Sequence, residues 1–194
     1  MSEEMRPPIL EHTRVIFDAG YGRCLANRAF TSLKGVPYDY KIWWHSGLPP
    51  SIVFPLTADR NVVAIREFRH GMIDFSLEFP GGLSYSAESE LPEETGRREL
   101  LEETGYSAGR IIRLACDPWV ETQTMNLRYY PFLAFDCVLV EAPRLEETEV
   151  IQTVLIPLEE WYGLVFEGRI VCNATIAHSM LALPYLLTEG LKFT

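Results

Sequence analysis

Arg98-Glu99-Leu100-Leu101-Glu102-Glu103-Thr104-Gly105 is the stretch on which the reading of this chain turns. On a helix, residues three and four apart share a face. Glu99, Glu102 and Glu103 therefore fall within roughly a third of the circumference at about 100° per residue. Three carboxylates held this closely repel one another unless water or a cation counters them. Oxygen-only ligation suits Mg²⁺ or Mn²⁺. Arg98 can pair with Glu94 or Glu102 at i±4 and steady the array. Taken alone, an ExxEE run is more often a solvated acidic face laced with ion pairs, so its surroundings decide.

Working outward, the signals of a helix around this run are complete. Pro92 suits a first turn, where its missing N–H is no loss. Glu93 and Glu94 favour the positive end of the helix dipole, and Gly105 is a good stop. Gly96 inside the helix costs roughly 1 kcal/mol relative to Ala, which implies a packing reason for it. Upstream, Ser51 to Leu56 and Asn61 to Phe68 read as strands, joined by a turn at Thr57-Ala58-Asp59-Arg60. Met72 to Phe79 is extended and stops at Pro80-Gly81-Gly82. Downstream, Ile111 to Cys116, Tyr130 to Val140 and Val150 to Pro157 read as strands. Leu158 to Glu167 reads as a helix ended by Gly168. A last helix starts at the cap Asn173 and runs toward Leu187, with a kink near Pro184. At the front, residues 1 to about 12 read as a loose arm, and Arg14 to Phe17 and Tyr38 to Trp44 as strands. Strands, one helix, strands, then helices imply an α+β fold in which helices pack a mixed sheet.

The composition narrows the function classes. The chain has 194 residues, 47% of them hydrophobic, enough for a real core in one domain or one domain with an appendage. A formal net charge of -10 repels nucleic-acid backbones. Cys24, Cys116, Cys137 and Cys172 form no CxxC pair, which excludes a zinc knuckle and a thioredoxin-like motif and fits buried thiols in a reducing cytosol. His12, His45, His70 and His178 lack ligand spacing. Met1 to Glu11 is polar with two prolines and reads as no signal peptide, and no apolar run is long enough to span a bilayer.

The context of the acidic run is distinctive. Glu78-Phe79-Pro80-Gly81-Gly82, then Glu90, then Arg98-Glu99-Leu100-x-Glu102-Glu103-x-Gly105 resembles the Nudix box. That pattern is Gly, five residues, Glu, seven residues, then Arg-Glu-apolar-x-Glu-Glu-x-Gly-apolar. From Glu90 onward the spacing matches, while seven residues rather than five separate Gly82 from Glu90. Glu88 would restore the first spacing and break the second. Tyr106 stands where an aliphatic residue is usual. Val62 to Arg69 resembles the strand before the box in ADP-ribose pyrophosphatases. Glu146 to Ile151, Leu158-Glu159-Glu160 and Gly168-Arg169-Ile170-x-x-Asn173-Ala174 resemble the end of that branch. The likeness covers about residues 50 to 190.

The resemblance implies an α/β/α sandwich with a mixed sheet over residues 49–194, and an N-terminal arm and strands over residues 1–48 that dimerise. It implies hydrolysis of the diphosphate bond of a nucleoside diphosphate linked to another group, ADP-ribose or a nucleotide sugar such as GDP-mannose. The products are a nucleoside monophosphate and a sugar phosphate. Glu99 and Glu103 are the implied ligands of Mg²⁺, with Mn²⁺ as substitute, supported by Glu102 and the Gly81 carbonyl. The implied general base sits on a downstream loop, at Glu147 or Glu149, with Glu147 the better match and Glu102 next in line. Each of the two could instead belong to a polar turn before a strand.

Arg66 and Arg69 are candidates for the diphosphate because guanidinium matches phosphate geometry, or else exposed strand residues. Alternation puts Arg66 with Phe68 and Glu67 with Arg69 on opposite faces, so a flat strand cannot aim both arginines together. Trp43 offers a ring for stacking a base or serves an interface, and Trp44 alternates with Ile42 as core. Two readings from other classes stand beside this one. A catalytically silent sensor of the same fold would usually lack the box glutamates, and a structural protein with an acidic helix leaves Pro80-Gly81-Gly82 unexplained.

Overall fold

The computed structural model describes residues 6–20, 23–45, 47–84, 90–114, 117–118, 120 and 122–190. Glu88 and Cys116 lie outside the described residues. The chain divides into two compact units.

The first unit takes residues 1–48 and 119–127. Its strands β1 (Ile9–Asp18), β2 (Arg23–Thr31) and β3 (Pro37–His45) form an antiparallel sheet in that order. The expected arm of about 12 residues is thus shorter, because β1 already begins at Ile9. β2 was not apparent in the sequence: Arg23, Asn27 and Arg28 dilute its apolar pattern. Residues 124–126 run along the outer edge of β3. The Trp43 N–H donates to the Thr124 carbonyl (2.7 Å), and Asn126 bonds the main chain of His45 on both sides (2.6 and 3.2 Å). They give β3 backbone partners that an edge strand otherwise lacks. All ten residues of β1 are exposed, Phe17 by 58%.

The second unit holds the remaining elements. In order they are β4 (Ser51–Pro55), β5 (Asn61–Arg69), β6 (Asp74–Glu78), β7 (Gly81–Gly82), α1 (Pro92–Thr104), β8 (Tyr106–Ser107), β9 (Arg110–Arg113), β10 (Tyr130–Phe135), β11 (Val138–Leu139), β12 (Ile151–Pro157), α2 (Leu158–Phe166) and α3 (Asn173–Thr188). One sheet runs β7-β4-β10-β9, with β4 and β10 parallel and the other pairs antiparallel. A second runs β12-β5-β6, all antiparallel. Leu56 bridges Val62 between them. Among the described residues β8 pairs with β11 alone, beyond the bend at Asp136 (φ 54°) that splits the expected Tyr130 to Val140 strand.

The two-residue period of the strands sorts their side chains into two layers. Phe54, Leu56, Val62, Ala64 and Leu133 join Trp161, Tyr162 and Val165 of α2 and Ala182 and Leu186 of α3 in one core. Their neighbours Val53, Val63, Phe132 and Ala134 join Leu100 of α1 in the other. Helices therefore cover both sheet faces, the sandwich that the resemblance implied.

α1 starts and stops as its residues dictate. Leu91 is extended (φ -72°, ψ 152°), its N–H donates to Glu94 Oε2 (2.8 Å), and Pro92 follows in the first turn. Gly105 closes the helix in the left-handed region (φ 75°) and donates to Leu101. Gly96 has the packing reason expected of it: a Cβ there would meet Val53 Cγ2 at 3.0 Å. At α3 the expected cap is displaced by one residue. Cys172 is the extended N-cap and Asn173 is already helical, with no side-chain cap bond.

His178 of α3 is fully buried among Phe54, Phe79 and Tyr129. A carbonyl cannot donate, so Nε2–H donates to the Phe132 oxygen (3.0 Å) and the ring is the neutral Nε2 tautomer. Burial pushes its pKa down to about 3. Below about pH 6.5 the unfolded chain binds a proton there that the fold refuses. This contribution is therefore lost as pH falls from about 6.5 toward 3, by at most about 1.4 kcal/mol per pH unit. Urea unfolding from pH 7 to 4.5 should show a steeper loss of stability in the wild type than in His178→Gln. Parallel profiles would refute it.

Candidate active site

The second unit builds a carboxylate cluster where α1 closes on β4 and β7. Gly81 and Gly82 pair with Ile52 and Ser51, and Ser51 Oγ donates to the Pro92 carbonyl at the start of α1 (2.7 Å). The approach is close. A Cβ on Gly81 would collide with the Ser51 carbonyl oxygen, and one on Gly82 with the Glu99 carboxylate. Gly81 lets β7 close on β4, and Gly82 lets the Glu99 carboxylate of α1 reach the strand.

Glu103 is 6% exposed, and its Oε2 accepts the Gly81 N–H (2.9 Å). Among the described residues no guanidinium or ammonium pairs with it. Burial first, then the charge of Glu99, pushes its pKa well above the ordinary value, against the pull of the Gly81 bond, with Glu67 and Glu149 adding to the rise. Glu99 is pushed up to about 7, chiefly by burial; Arg98 opposes the shift, and Glu102 and Glu149 add to it. Glu67 of β5 is likewise pushed up to about 7 by burial, with Arg69 opposing and Glu78 and Glu149 adding. These mutual effects bring Glu67, Glu99, Glu102, Glu103 and Glu149 into one electrostatic neighbourhood.

Arg98 braces the helix side of this cluster. Its Nε donates to Glu90 (2.7 Å), Nη1 to Glu99 (2.8 Å) and Glu102 (2.9 Å), and Nη2 to the Leu83 carbonyl (2.8 Å). Of the two i±4 partners open to it, Arg98 takes Glu102, while Glu94 serves the helix start. The guanidinium also fastens both ends of the segment between Leu83 and Glu90 to the helix.

Of the two loop glutamates, Glu149 is half-buried and acts on Glu67, Glu99 and Glu103, and its Oε2 accepts the Glu146 N–H (2.8 Å). Glu147 is exposed. The loop is tied to α1 through Arg144 N–H on the Glu102 carbonyl (2.7 Å). The two strand arginines diverge as alternation requires. Arg66 is exposed with its guanidinium over the Phe75 ring (4.9 Å). Arg69 turns to the other face, onto Glu67 and Glu78. Trp43 belongs to the first unit and is 47% exposed, whereas Ile42 beside it is buried. Glu67 and Glu78 were not singled out from sequence as site residues, although the shared face of Glu67 and Arg69 was legible in the alternation.

As the side chains stand, no group of three or more His, Cys, Asp and Glu among the described residues converges as a ready-made metal site. The donor set nonetheless fits a hard dication. It offers carboxylate oxygens in a half-buried cluster, and Glu103 is buried without a counter-charge. A small Mg²⁺ or Mn²⁺ is matched by oxygen donors of this kind.

Three comparisons bear on the arrangement. The NUDIX domain family model matches residues 48–170. An ADP-ribose pyrophosphatase of Bacillus subtilis (strain 168) is 30% identical over 145 residues, which cover 72% of this chain and 73% of that protein. A methanol dehydrogenase activator of Bacillus methanolicus is 28% identical over 144 residues, covering 72% and 73%. Among solved structures, a crystal structure of an ADP compounds hydrolase aligns over 97% of this chain and 99% of its own, with a TM-score of 0.81 at 19% identity. At that identity the likeness is one of fold.

The two strand glycines should respond differently to a methyl group. Gly81→Ala forces backbone against backbone and should cost about 1–3 kcal/mol, the usual range for overpacking. Gly82→Ala meets the far end of a flexible side chain. It should leave the melting temperature nearly unchanged while displacing Glu99 and weakening Mn²⁺ binding. Thermal unfolding and Mn²⁺ titration of both variants check this, and a Gly82→Ala protein with wild-type Mn²⁺ affinity would contradict it.

Proposed function

The chain belongs to the NUDIX family, and from that premise we propose that it is a divalent-metal-dependent hydrolase of the diphosphate bond in a nucleoside diphosphate linked to another group. ADP-ribose or a nucleotide sugar is the substrate, cleaved to a nucleoside monophosphate and a sugar phosphate. The observation that carries this is the buried, uncompensated Glu103 beside Glu99, on a helix whose Glu99 carboxylate packs on Gly82 of β7. A diphosphate is itself anionic and would be repelled by these carboxylates. A cation must mediate between them.

Glu99, Glu102 and Glu103, with the Gly81 carbonyl, would hold Mg²⁺, or Mn²⁺ in its place. The ion supplies charge screening and makes a water easier to deprotonate. The Gly81 N–H fixes one Glu103 oxygen, which aims the other. Arg98 holds Glu99 and Glu102 against their mutual repulsion. Glu149 takes the proton of the attacking water, and its nearness to the cluster favours it over the exposed Glu147. Arg69 takes the diphosphate. Arg66, packed on Phe75 on the opposite strand face, does not suit that part. Retention of the glutamates argues against the silent-sensor alternative.

We also propose a homodimer through the first unit, supported by the exposed Ile9, Leu10, Phe17 and Tyr38 of its outer strands. The free, buried Cys24 and Cys137 suit a cytosolic setting.

The test is a hydrolysis screen of diphosphate compounds with Mg²⁺, in wild type, Glu103→Gln, Glu147→Gln and Glu149→Gln. EDTA should abolish turnover. Glu103→Gln should lose turnover and Mn²⁺ affinity together. Glu149→Gln should lose about 10²–10⁴-fold in kcat, as for a general base, with Mn²⁺ affinity little changed. Turnover of nothing, with ligand still bound, would favour the sensor, and Glu147→Gln alone losing turnover would move the base. Light scattering at micromolar concentration should give a dimer mass, and a monomer across that range would refute the assembly.

A further inference from the structure

Arg69 lies at the far end of the β5–β6 hairpin, opposite Asp74, yet its guanidinium is found back along the ladder. Nε and Nη2 donate to the two oxygens of Glu78 (3.0 and 2.6 Å), and Nη1 donates to Glu67 Oε1 (2.7 Å). The register is unbroken, with Ile65 opposite Glu78, Glu67 opposite Ser76 and Arg69 opposite Asp74. Directly paired residues point to the same side of a sheet, so Glu67, Glu78 and Arg69 share one face. It is the face that Val63 turns toward Leu100 of α1. Glu78 lies three residues before Gly81, whose N–H holds Glu103. The arginine side chain is thus laid flat along the hairpin and delivered toward the α1 carboxylates.

Two features suit this to recognition of an anion. A guanidinium has five N–H donors, and these bonds use three of them. The Arg69 side chain is 43% exposed, while Glu67 and Glu78 are only 14% and 10% exposed. The two carboxylates form the shielded wall, and part of the arginine side chain stays open to solvent.

We propose that Glu67 and Glu78 are positioning residues that fold Arg69 back along the hairpin, so that its two remaining N–H donors meet the diphosphate at the α1 carboxylates. The identity of that anion rests on the hydrolase reading. A plain hairpin staple would use the same bonds, but it would affect folding and not substrate binding.

The experiment titrates ADP, which carries the diphosphate, into the full chain with Mg²⁺ by calorimetry. It compares wild type, Arg69→Ala, Glu67→Ala, Glu67→Gln and the Arg69→Ala/Glu67→Ala double variant, each checked by thermal unfolding. Steady-state kinetics follow on whichever compound the wild type cleaves. Arg69→Ala should weaken ADP binding by about tenfold or more, the loss expected of a charge-assisted contact. Glu67→Ala should weaken it by about three- to tenfold and raise KM with kcat little changed. Glu67→Gln keeps an acceptor oxygen and should recover most of that loss. The double variant should bind no worse than Arg69→Ala, because the carboxylate acts only through the arginine.

If Glu67→Ala weakens binding by the same factor with and without Arg69, the inference is wrong. It is equally wrong if Glu67→Ala lowers the melting temperature alone, or lowers kcat and Mg²⁺ affinity with KM unchanged. A wild type that binds ADP but cleaves nothing would sink the hydrolase reading and leave this inference to the titration. A wild type that binds no ADP would overturn it.

Discussion

The site depends on two close approaches made at glycines, of β7 to β4 and of helix α1 to these strands. Gly96 meets Val53 on the helix side, and Gly81 and Gly82 meet Ser51 and Glu99 on the strand side. Gly81 lets the β7 and β4 backbones close, and Gly82 and Gly96 leave room for the side chains of Glu99 and Val53. The closure excludes water from Glu103, gives its carboxylate the Gly81 N–H, and places Glu99 over Gly82. Burial of an ion is costly unless something compensates it. The fold therefore stores a demand for positive charge at one point of its surface.

How much of this was legible from sequence follows from the range of the interactions. The start and stop of α1, the packing reason for Gly96 and the split of Arg66 from Arg69 follow from local chemistry and periodicity, and they can be read one residue at a time. The displaced cap at Cys172 is also local, but Asn173 is a strong cap former by type, and only the packing of α3 decides by one residue. β2 was hidden because Arg23, Asn27 and Arg28 interrupt the apolar alternation, while its partners on both sides supply the ladder.

What stayed illegible is what depends on distant segments. Glu78 reads as a neighbour of the Pro80-Gly81-Gly82 turn, and nothing local shows that Arg69, nine residues earlier, reaches back to it. The contrast between Glu147 and Glu149 is of the same kind. Two residues in a short polar turn look alike in sequence. Their exposures differ because the turn is anchored to α1 through Arg144 and folds Glu149 onto Glu146. The departure of residues 119–127 to the first unit left no signal in composition, since it is made of backbone bonds and the side-chain amides of Gln123 and Asn126.

The two arginines of the cluster show why a chain of net charge -10 can offer a site to an anion. Charge at a distance is screened within about 8–10 Å in physiological salt, so the local arrangement outweighs the sum. Arg98 spends its donors inward, on Glu90, Glu99, Glu102 and the Leu83 carbonyl, and holds like charges together at a spacing they would not otherwise keep. Arg69 gives three of its donors to Glu67 and Glu78, and its side chain stays 43% exposed. The first arginine makes a concentration of negative charge tolerable, which is what gives a dication a reason to bind. The second is held by the carboxylates of Glu67 and Glu78 and adds a positive group to the same sheet face. An anion would reach such a site only through a bound cation and Arg69, because the carboxylates alone repel it.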